Sequence, residues 1–371
     1  MRKYPRSSRI LFYADLHVGD RSNGRLYTDM IEAEEFITNL AIERKVDWVA
    51  FGGDAFKSRN PHDEQKTRWL EVREKRSREF NGAGINEIDL VGNHCRWYKA
   101  DESGHVFEAL QLQGCADNRC HIVAATQETF HTRSGVTFHT LPAQVNYDPT
   151  MWTNDDGLDL SICMFHGMVK GCSLNQDGTV KSSEGVPLEI LDRPEFDFVL
   201  CGDLHIAQIL DFKNTRGGYV GSTLQLDATD AGEERGCMII TFLKGATSPQ
   251  VEFVSVPHAK LMYLTWDTKE PLPDLEPYHG QLLTLKIINA NALSSIDLDR
   301  NLSAVRQTVR HLTTLMEAVD LGLNRPGMAR AVSHAGPVED FGAYLGQMAN
   351  LPPDRKERVL NLLREIHGQT T

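Results

Sequence analysis

The sequence predicts an α/β fold over 1–256, a small α+β unit over 257–325 and a helical tail over 326–371. Three observations carry this expectation. Five short apolar runs each close on Asp, Asn or His, as strands do when an open α/β sheet delivers polar side chains to its carboxyl edge. The first two runs are separated by a segment with helical spacing, the pattern of a βαβ unit. Past Pro257 no such run recurs, and prolines at 271, 273 and 277 break the pattern.

The first run, Ile10-Leu11-Phe12-Tyr13-Ala14, closes on Asp15 and His17. Over 28–44, Met30, Ile31, Ala33, Phe36, Ile37, Leu40 and Ala41 mark one face of a helix that returns the chain to the second run, Val49-Ala50-Phe51-Gly52-Gly53-Asp54. A second helix is expected over 62–80. Its many charges read as a solvated face laced with opposite signs, or else, with Lys57 and Arg59, as a basic margin that touches phosphates.

The third run, Ile88-Asp89-Leu90-Val91-Gly92, ends in Asn93 and His94. Arg96-Trp97-Tyr98 follows directly, and such a cluster either packs or grips a nucleotide by charge and stacking. Short strands are expected over 121–124, 129–132 and 136–141, the last two forming a hairpin around Arg133-Ser134-Gly135. His121, His131 and His139 lack a Gly-Asp or Gly-Asn context and read as structural residues. The fourth run, over 158–165, ends in His166, and the fifth, Phe198-Val199-Leu200-Cys201-Gly202, in Asp203 and His205.

Beyond them, 218–226 and 233–242 read as turn and strand. Strands over 260–266 and 281–288 and a helix over 296–320 make up the small unit. In the tail, Val338, Phe341, Tyr344, Leu345 and Met348 form one amphipathic stripe. Val359, Leu362, Leu363 and Ile366 form a second, after Pro352-Pro353-Asp354. Such a pair packs on its own domain or docks in a partner's groove.

Bulk properties narrow the class. The 371 residues carry a formal net charge of -12, which argues against coating nucleic acid by bulk charge but not against a nucleic-acid enzyme that gathers carboxylates around cations. Seven cysteines without a Cys-x-x-Cys pair argue against a thiolate zinc framework and a disulfide scaffold. The apolar run after the basic start meets Asp15 too soon for a secretory signal, and no stretch approaches the roughly 18 apolar residues of a membrane helix. A cytoplasmic protein without a membrane partner is expected.

Taken together, the five blocks resemble the calcineurin-like metallophosphoesterase pattern: Asp-x-His, Gly-Asp, Gly-Asn-His, a lone His, then Gly-His-x-His. The resemblance implies a β-sandwich flanked by helices and two divalent cations, manganese before magnesium. It implies Asp15, His17, Asp54 and His205 on one cation. Asp54 would bridge to the second, which Asn93, His166 and Asp203 complete. His94 would protonate the leaving oxygen or stabilise the charged transition state. Oxygen donors with some imidazole suit hard cations, and a cation pair suits an anionic phosphodiester that leaves as an alkoxide. Two departures stand out. Asp203 replaces the first histidine of the last block, and Cys95 follows His94 where an acidic residue is usual. Lys57 occupies a place where relatives carry a group that orients the imidazole.

Within this superfamily the chain is similar to SbcD-type nuclease subunits of DNA repair and recombination. The likeness lies in Gly53-Asp54-Ala55-Phe56 with Asn60-Pro61, Phe196-Asp197-Phe198-Val199, Tyr219-Val220-Gly221-Ser222 and Glu234-Arg235-Gly236, followed by a capping unit. It implies a DNA exonuclease with added endonuclease activity and an SMC-like ATPase partner of the SbcC type, bound through the C-terminal helices. A homodimer also fits, and the departures suit a phage-encoded member acting in host cytoplasm. DNA contacts are expected from Lys57, Arg59, Arg96 and Trp97. Two other readings remain: a phosphoesterase for nucleotides or small phosphodiesters, and a catalytically weakened scaffold. The capping unit and tail weigh against the first, and a single conservative ligand change against the second.

Overall fold

Four strands, β1 (Ser8–Tyr13), β2 (Trp48–Phe51), β3 (Asn86–Leu90) and β4 (His121–Ala124), run parallel in that order. The helices α1 (Tyr27–Glu43) and α2 (Asp63–Ala83) make the first two crossovers. Strand β11 (Gly236–Phe242) pairs antiparallel with β1, and β12 (Gln250–Ser255) closes that edge, giving the order β12-β11-β1-β2-β3-β4. The protein is seen in a computed structural model, which describes residues 3–19, 27–96, 104–108, 121–143, 145–148, 150–152, 159–226 and 230–316.

A second six-stranded sheet faces the first. It comprises β5 (Glu128–His131), β6 (Val136–Leu141), β7 (Leu160–His166), β8 (Phe198–Gly202), β9 (Gln208–Ile209) and β10 (Gly217–Tyr219), in the order β5-β6-β7-β8-β10-β9. Strands β6, β7, β8 and β10 are parallel, and the expected hairpin is β5 with β6.

Side-chain alternation sorts the core into layers. Ile10 and Phe12 point between the sheets, where they pack with Trp48, Ile88, Ile162 and Leu200. Leu11 and Tyr13 point the other way, against Met30 and Ile37 of α1 and Trp69 and Val72 of α2. Because both faces of β1 are covered, its sequence reads as an unbroken apolar run. The same sandwiching aligns the carboxyl ends of β1, β2, β3, β7 and β8 at one rim.

Helix α2 departs from the charge-laced surface expected of it. Lys66–Asp63, Arg68–Glu71 and Arg78–Glu74 are exposed pairs of that kind. Arg73 and Arg76, however, are buried, at 2% and 1% exposure. Arg73 Nη2 meets Asp89 Oδ2 at 2.5 Å and Glu87 Oε1 at 3.4 Å, while Arg76 Nη1 meets Glu34 Oε2 at 2.5 Å and donates to the Tyr13 hydroxyl at 2.7 Å. His121 Nε2 joins at 2.8 Å from Asp89 Oδ2. These arginines therefore fasten α2 to the sheet and have no access to phosphate.

After Val256 a separate three-stranded parallel sheet forms from β13 (Leu261–Asp267), β14 (Leu282–Ile288) and β15 (His311–Met316), with α3 (Ser295–Thr308) crossing from β14 to β15. It has its own core, built on Trp266, Leu285, Ile287, Leu302 and Val305. The helix expected over 296–320 is thus corrected: it ends at Thr308, and 311–316 is a strand. Leu312 and Leu315 prolong the helical spacing of Leu302 and Val305, which hides the change of structure. The Thr313-Thr314 pair and pairing to β14 favour the strand. Gln225 Oε1 accepts from Leu261 N at 2.6 Å, and Arg310 pairs with Asp29 of α1, tying the unit to the sandwich. The two tail helices expected from the sequence lie outside the described residues. No helix among the described residues is long and apolar enough to cross a membrane.

Candidate metal centre

The rim where the strands end is held by crossed backbone bonds. Asp15 N donates to Gly53 O at 3.0 Å and His17 N to Asp54 O at 2.9 Å, so the β1 and β2 loops clasp each other. Thr223 donates its N–H and its hydroxyl to Ala14 O, and Ser222 N donates to His205 O, which brings the β8 and β10 loops to the same place.

Asp15, His17, Asp54 and Asp203 have φ of +53°, +52°, +59° and +97°. Only two other described non-glycine residues, Lys45 and Asn289, have positive φ. Each such conformation costs on the order of 1–3 kcal/mol and persists where surrounding structure enforces it, usually at a functional site. Two glycines are demanded by close approach. A Cβ on Gly53, at φ +107°, would lie 2.4 Å from His166 Nδ1, and one on Gly92 would lie 2.2 Å from Asp54 Oδ1.

Seven side chains singled out from the sequence meet here. Asp15, His17 and His205 bring donor atoms within 4.8 Å of one another, as do Asp15, Asp54 and His166. Asp54 stands between the groups, with Oδ2 3.7 Å from His17 Nε2 and Oδ1 3.5 Å from His166 Nε2. Asp203 Oδ1 lies 3.6 Å from His166 Nε2, and Asp203 N donates to both Asp15 oxygens at 3.2 and 3.1 Å. His205 Nε2 faces His17 Nε2 at 3.2 Å.

The donor set suits divalent cations. One terminal atom of the Asn93 amide lies 2.9 Å from His166 Nε2 and 3.2 and 3.0 Å from the two Asp54 oxygens. Without a cation that atom must be the amide nitrogen; with one, the amide oxygen can turn inward and all these acceptors share the ion. The His166 tautomer agrees. Its Nδ1 lies 2.6 Å from Gly52 O, which can only accept, so Nδ1 carries the proton and Nε2 presents a lone pair to the carboxylates. Asp15 makes the same point electrostatically: burial, then the charges of Asp54 and Asp203, raise its carboxyl well above the usual range. A cation relieves that repulsion. Addition of manganese to chelated protein is therefore expected to raise the thermal midpoint, each filled position adding about 2.7 kcal/mol of stability at a hundredfold excess over its Kd. A midpoint indifferent to the ion would contradict the assignment.

His94 stands beside this group. Its ring lies 5.1 Å from that of His17, and its Nδ1 donates to Lys57 O at 2.6 Å, leaving Nε2 for proton transfer. The backbone carbonyl of Lys57, rather than its side chain, orients the imidazole. Cys95 is buried and accepts from Ala55 N at 3.4 Å, and burial followed by the Asp54 charge pushes its thiol up to about 12. It packs beneath the Asp54 loop as a neutral group.

The expected DNA contacts fare unequally. Lys57 is exposed and Arg59 half-buried on the loop that holds His94. Arg96 is corrected: it is 1% exposed, and its guanidinium donates to Ala143 O at 3.1 Å and Ala125 O at 2.6 Å, so it is a structural brace. Trp97 lies outside the described residues. The sequence missed the carbonyls of Gly52 and Lys57, which carry no side-chain signal. It also missed the role of the Tyr219 hydroxyl, which donates to Gly167 O at 2.8 Å and accepts from Val169 N at 3.0 Å, fixing the loop after His166.

Two facing mixed sheets, the first covered by helices on its outer face, with carboxylates, imidazoles and an amide gathered at their carboxyl rim, define a layered α/β protein with a candidate divalent-cation site. Residues 8–207, more than half the chain, match the calcineurin-like phosphoesterase family, and the chain belongs to that family. Membership implies a metal-dependent phosphoester hydrolase with two divalent cations. No curated protein matches the chain. Among solved structures it is similar to a dimetal phosphatase from Danio rerio, at 10% identity and TM-score 0.39, covering 67% of this chain and 99% of that one. It is also similar to an archaeal phosphodiesterase, at 12% identity and TM-score 0.34, covering 66% and 99%. A third is the Plasmodium anchor of the inner membrane complex, at 11% identity and TM-score 0.38, covering 83% and 97%.

Proposed function

We propose that this protein is a DNA nuclease, an exonuclease with endonuclease activity that works with an SMC-like ATPase in repair or recombination. The observation that carries the hydrolytic part is Asp54, whose two oxygens face histidines of two different donor groups. Asp15, His17, Asp54 and His205 would hold one cation, and Asp54, Asn93, His166 and Asp203 the other, with manganese the preferred ion. When bound, the cations neutralise the phosphate and activate water. The chain's own groups do the rest. Gly52 O keeps the His166 tautomer, Lys57 O aims the His94 ring, and the imidazolium form of His94, its Nδ1–H held by Lys57 O, would give its Nε2 proton to the leaving oxygen and become neutral. Lys57 and Arg59, on the loop beside His94, would meet flanking phosphates of a strand.

Support for DNA as substrate comes from the motif spacing shared with SbcD-type subunits and from the parallel sheet that follows the sandwich. The C-terminal segment over 326–371 is the proposed binding element for the ATPase, and a homodimer is compatible with it. The test is cleavage of end-labelled duplex and single-stranded DNA with manganese, magnesium or chelator, repeated with the ATPase and ATP. Cation-dependent shortening of DNA is expected, stimulated by the ATPase. Hydrolysis of a chromogenic diester with DNA left intact would replace this reading by that of a small-phosphodiester enzyme.

A further inference from the structure

We infer that the two cation positions are chemically unequal, and that Asp203 makes the second selective for hard, oxygen-seeking ions. The inference deepens the metal-centre reading above and rests on it. The first group offers two imidazole nitrogens, from His17 and His205, with Asp15 and one Asp54 oxygen. The second, which the Asp15 carboxylate also borders, offers one imidazole nitrogen, from His166, with the other Asp54 oxygen, the Asn93 amide and Asp203 Oδ1. Nitrogen is thus half of the first donor set and at most a quarter of the second. Imidazole-rich sites favour zinc, whereas carboxylate and amide oxygens favour magnesium and manganese.

Asp203 is the donor that creates this difference. Asp15 and Asp54 are essentially sealed, and both belong to the rim shared by the two groups. The Asp203 side chain is 24% exposed, on the solvent side of His166. Its backbone is held at φ +97° while its N–H grips the Asp15 carboxylate, so the carboxyl is aimed by an enforced conformation. It also adds a third negative charge against the four positive charges of two divalent ions. Removing that charge weakens the hold on magnesium, an ion bound mainly through charge and oxygen.

The test titrates metal-free full chain calorimetrically with magnesium, manganese and zinc in turn, comparing wild type with Asp203→His, Asp203→Asn and His205→Ala. Circular dichroism checks that each variant is folded, and the near-isosteric Asn keeps the test valid if His is not tolerated. Wild type is expected to bind two manganese ions with distinct affinities. Asp203→His should shift the zinc-to-magnesium affinity ratio at one position by roughly tenfold or more, and Asp203→Asn should weaken magnesium there by a similar factor. His205→Ala should affect the other position. Unchanged ratios in both Asp203 variants, with ions still bound, would overturn this inference alone. Wild type that binds no divalent ion would overturn the metal-centre reading with it.

Discussion

Asp54→Ala is expected to abolish cation-dependent hydrolysis and to reduce manganese binding in the same protein, whereas His94→Gln should lower turnover by roughly 10²–10⁴ and leave manganese binding intact. The two residues sit in one pocket but do different things. Asp54 turns its oxygens to His17 and His166 at 3.7 and 3.5 Å, and Oδ1 also accepts from His94 N at 2.8 Å, so its loss uncouples both donor groups and frees the backbone under His94. His94 has its Nδ1 committed to Lys57 O, and only Nε2 remains for the reaction. Calorimetry beside a diester assay separates the two effects. Parallel loss of binding in both variants would show His94 to be a ligand, and full turnover in Asp54→Ala would discard the site.

Arg73→Leu should destabilise the fold by about 3–5 kcal/mol, the usual cost of removing one partner from a buried charge network. Asp89, Glu87 and Glu34 would be left facing one another with Arg76 as the remaining buried arginine. The arginine also lies 5.5 Å over the Trp69 ring, so packing is lost with the charge. Urea unfolding measures the change, and a shift under 1 kcal/mol would mean that the network relaxes or takes up water.

The network also has a pH signature. Burial opposes ionisation of Asp89, yet Arg73 and then His121 outweigh it and hold the carboxyl well below the usual range. Its contribution is present above an unfolded value near 3.9 and is lost as pH falls. For His121, burial lowers the imidazole, but the hydrogen bond and charge of Asp89 raise it overall. That contribution is complete below about 6.5 and is lost as pH rises through the folded value. Both are therefore present together between about pH 4 and 6.5. His121→Gln should flatten the alkaline decline in stability and soften the acid limb, which Arg73 would still sustain.

Much of the site was legible because its ligands follow apolar strands directly. Asp15, Asp54, Asn93, His166 and Asp203 each stand within three residues of a strand end, and a strand buried on both faces leaves an unmistakable apolar run. The third sheet was harder. Leu312 and Leu315 keep the period of α3 across a break that only pairing with β14 enforces. Arg96 misled for a related reason: beside an aromatic pair it looks like a nucleotide clamp, and nothing local reveals that the carbonyls of Ala125 and Ala143 wait for it.

By itself the sequence determined the order of strands and helices from β1 to β8, but not β9 or β12, and the kinds of donor that close each run, since these follow from local periodicity and residue chemistry. Tertiary structure alone decided which oxygen of Asp54 faces which histidine, that the Gly52 carbonyl sets the His166 tautomer and the Lys57 carbonyl aims the His94 ring, and that Arg73 and Arg76 turn inward. Those outcomes depend on contacts between segments tens of residues apart, where geometry at the scale of an ångström chooses among partners that composition leaves equivalent.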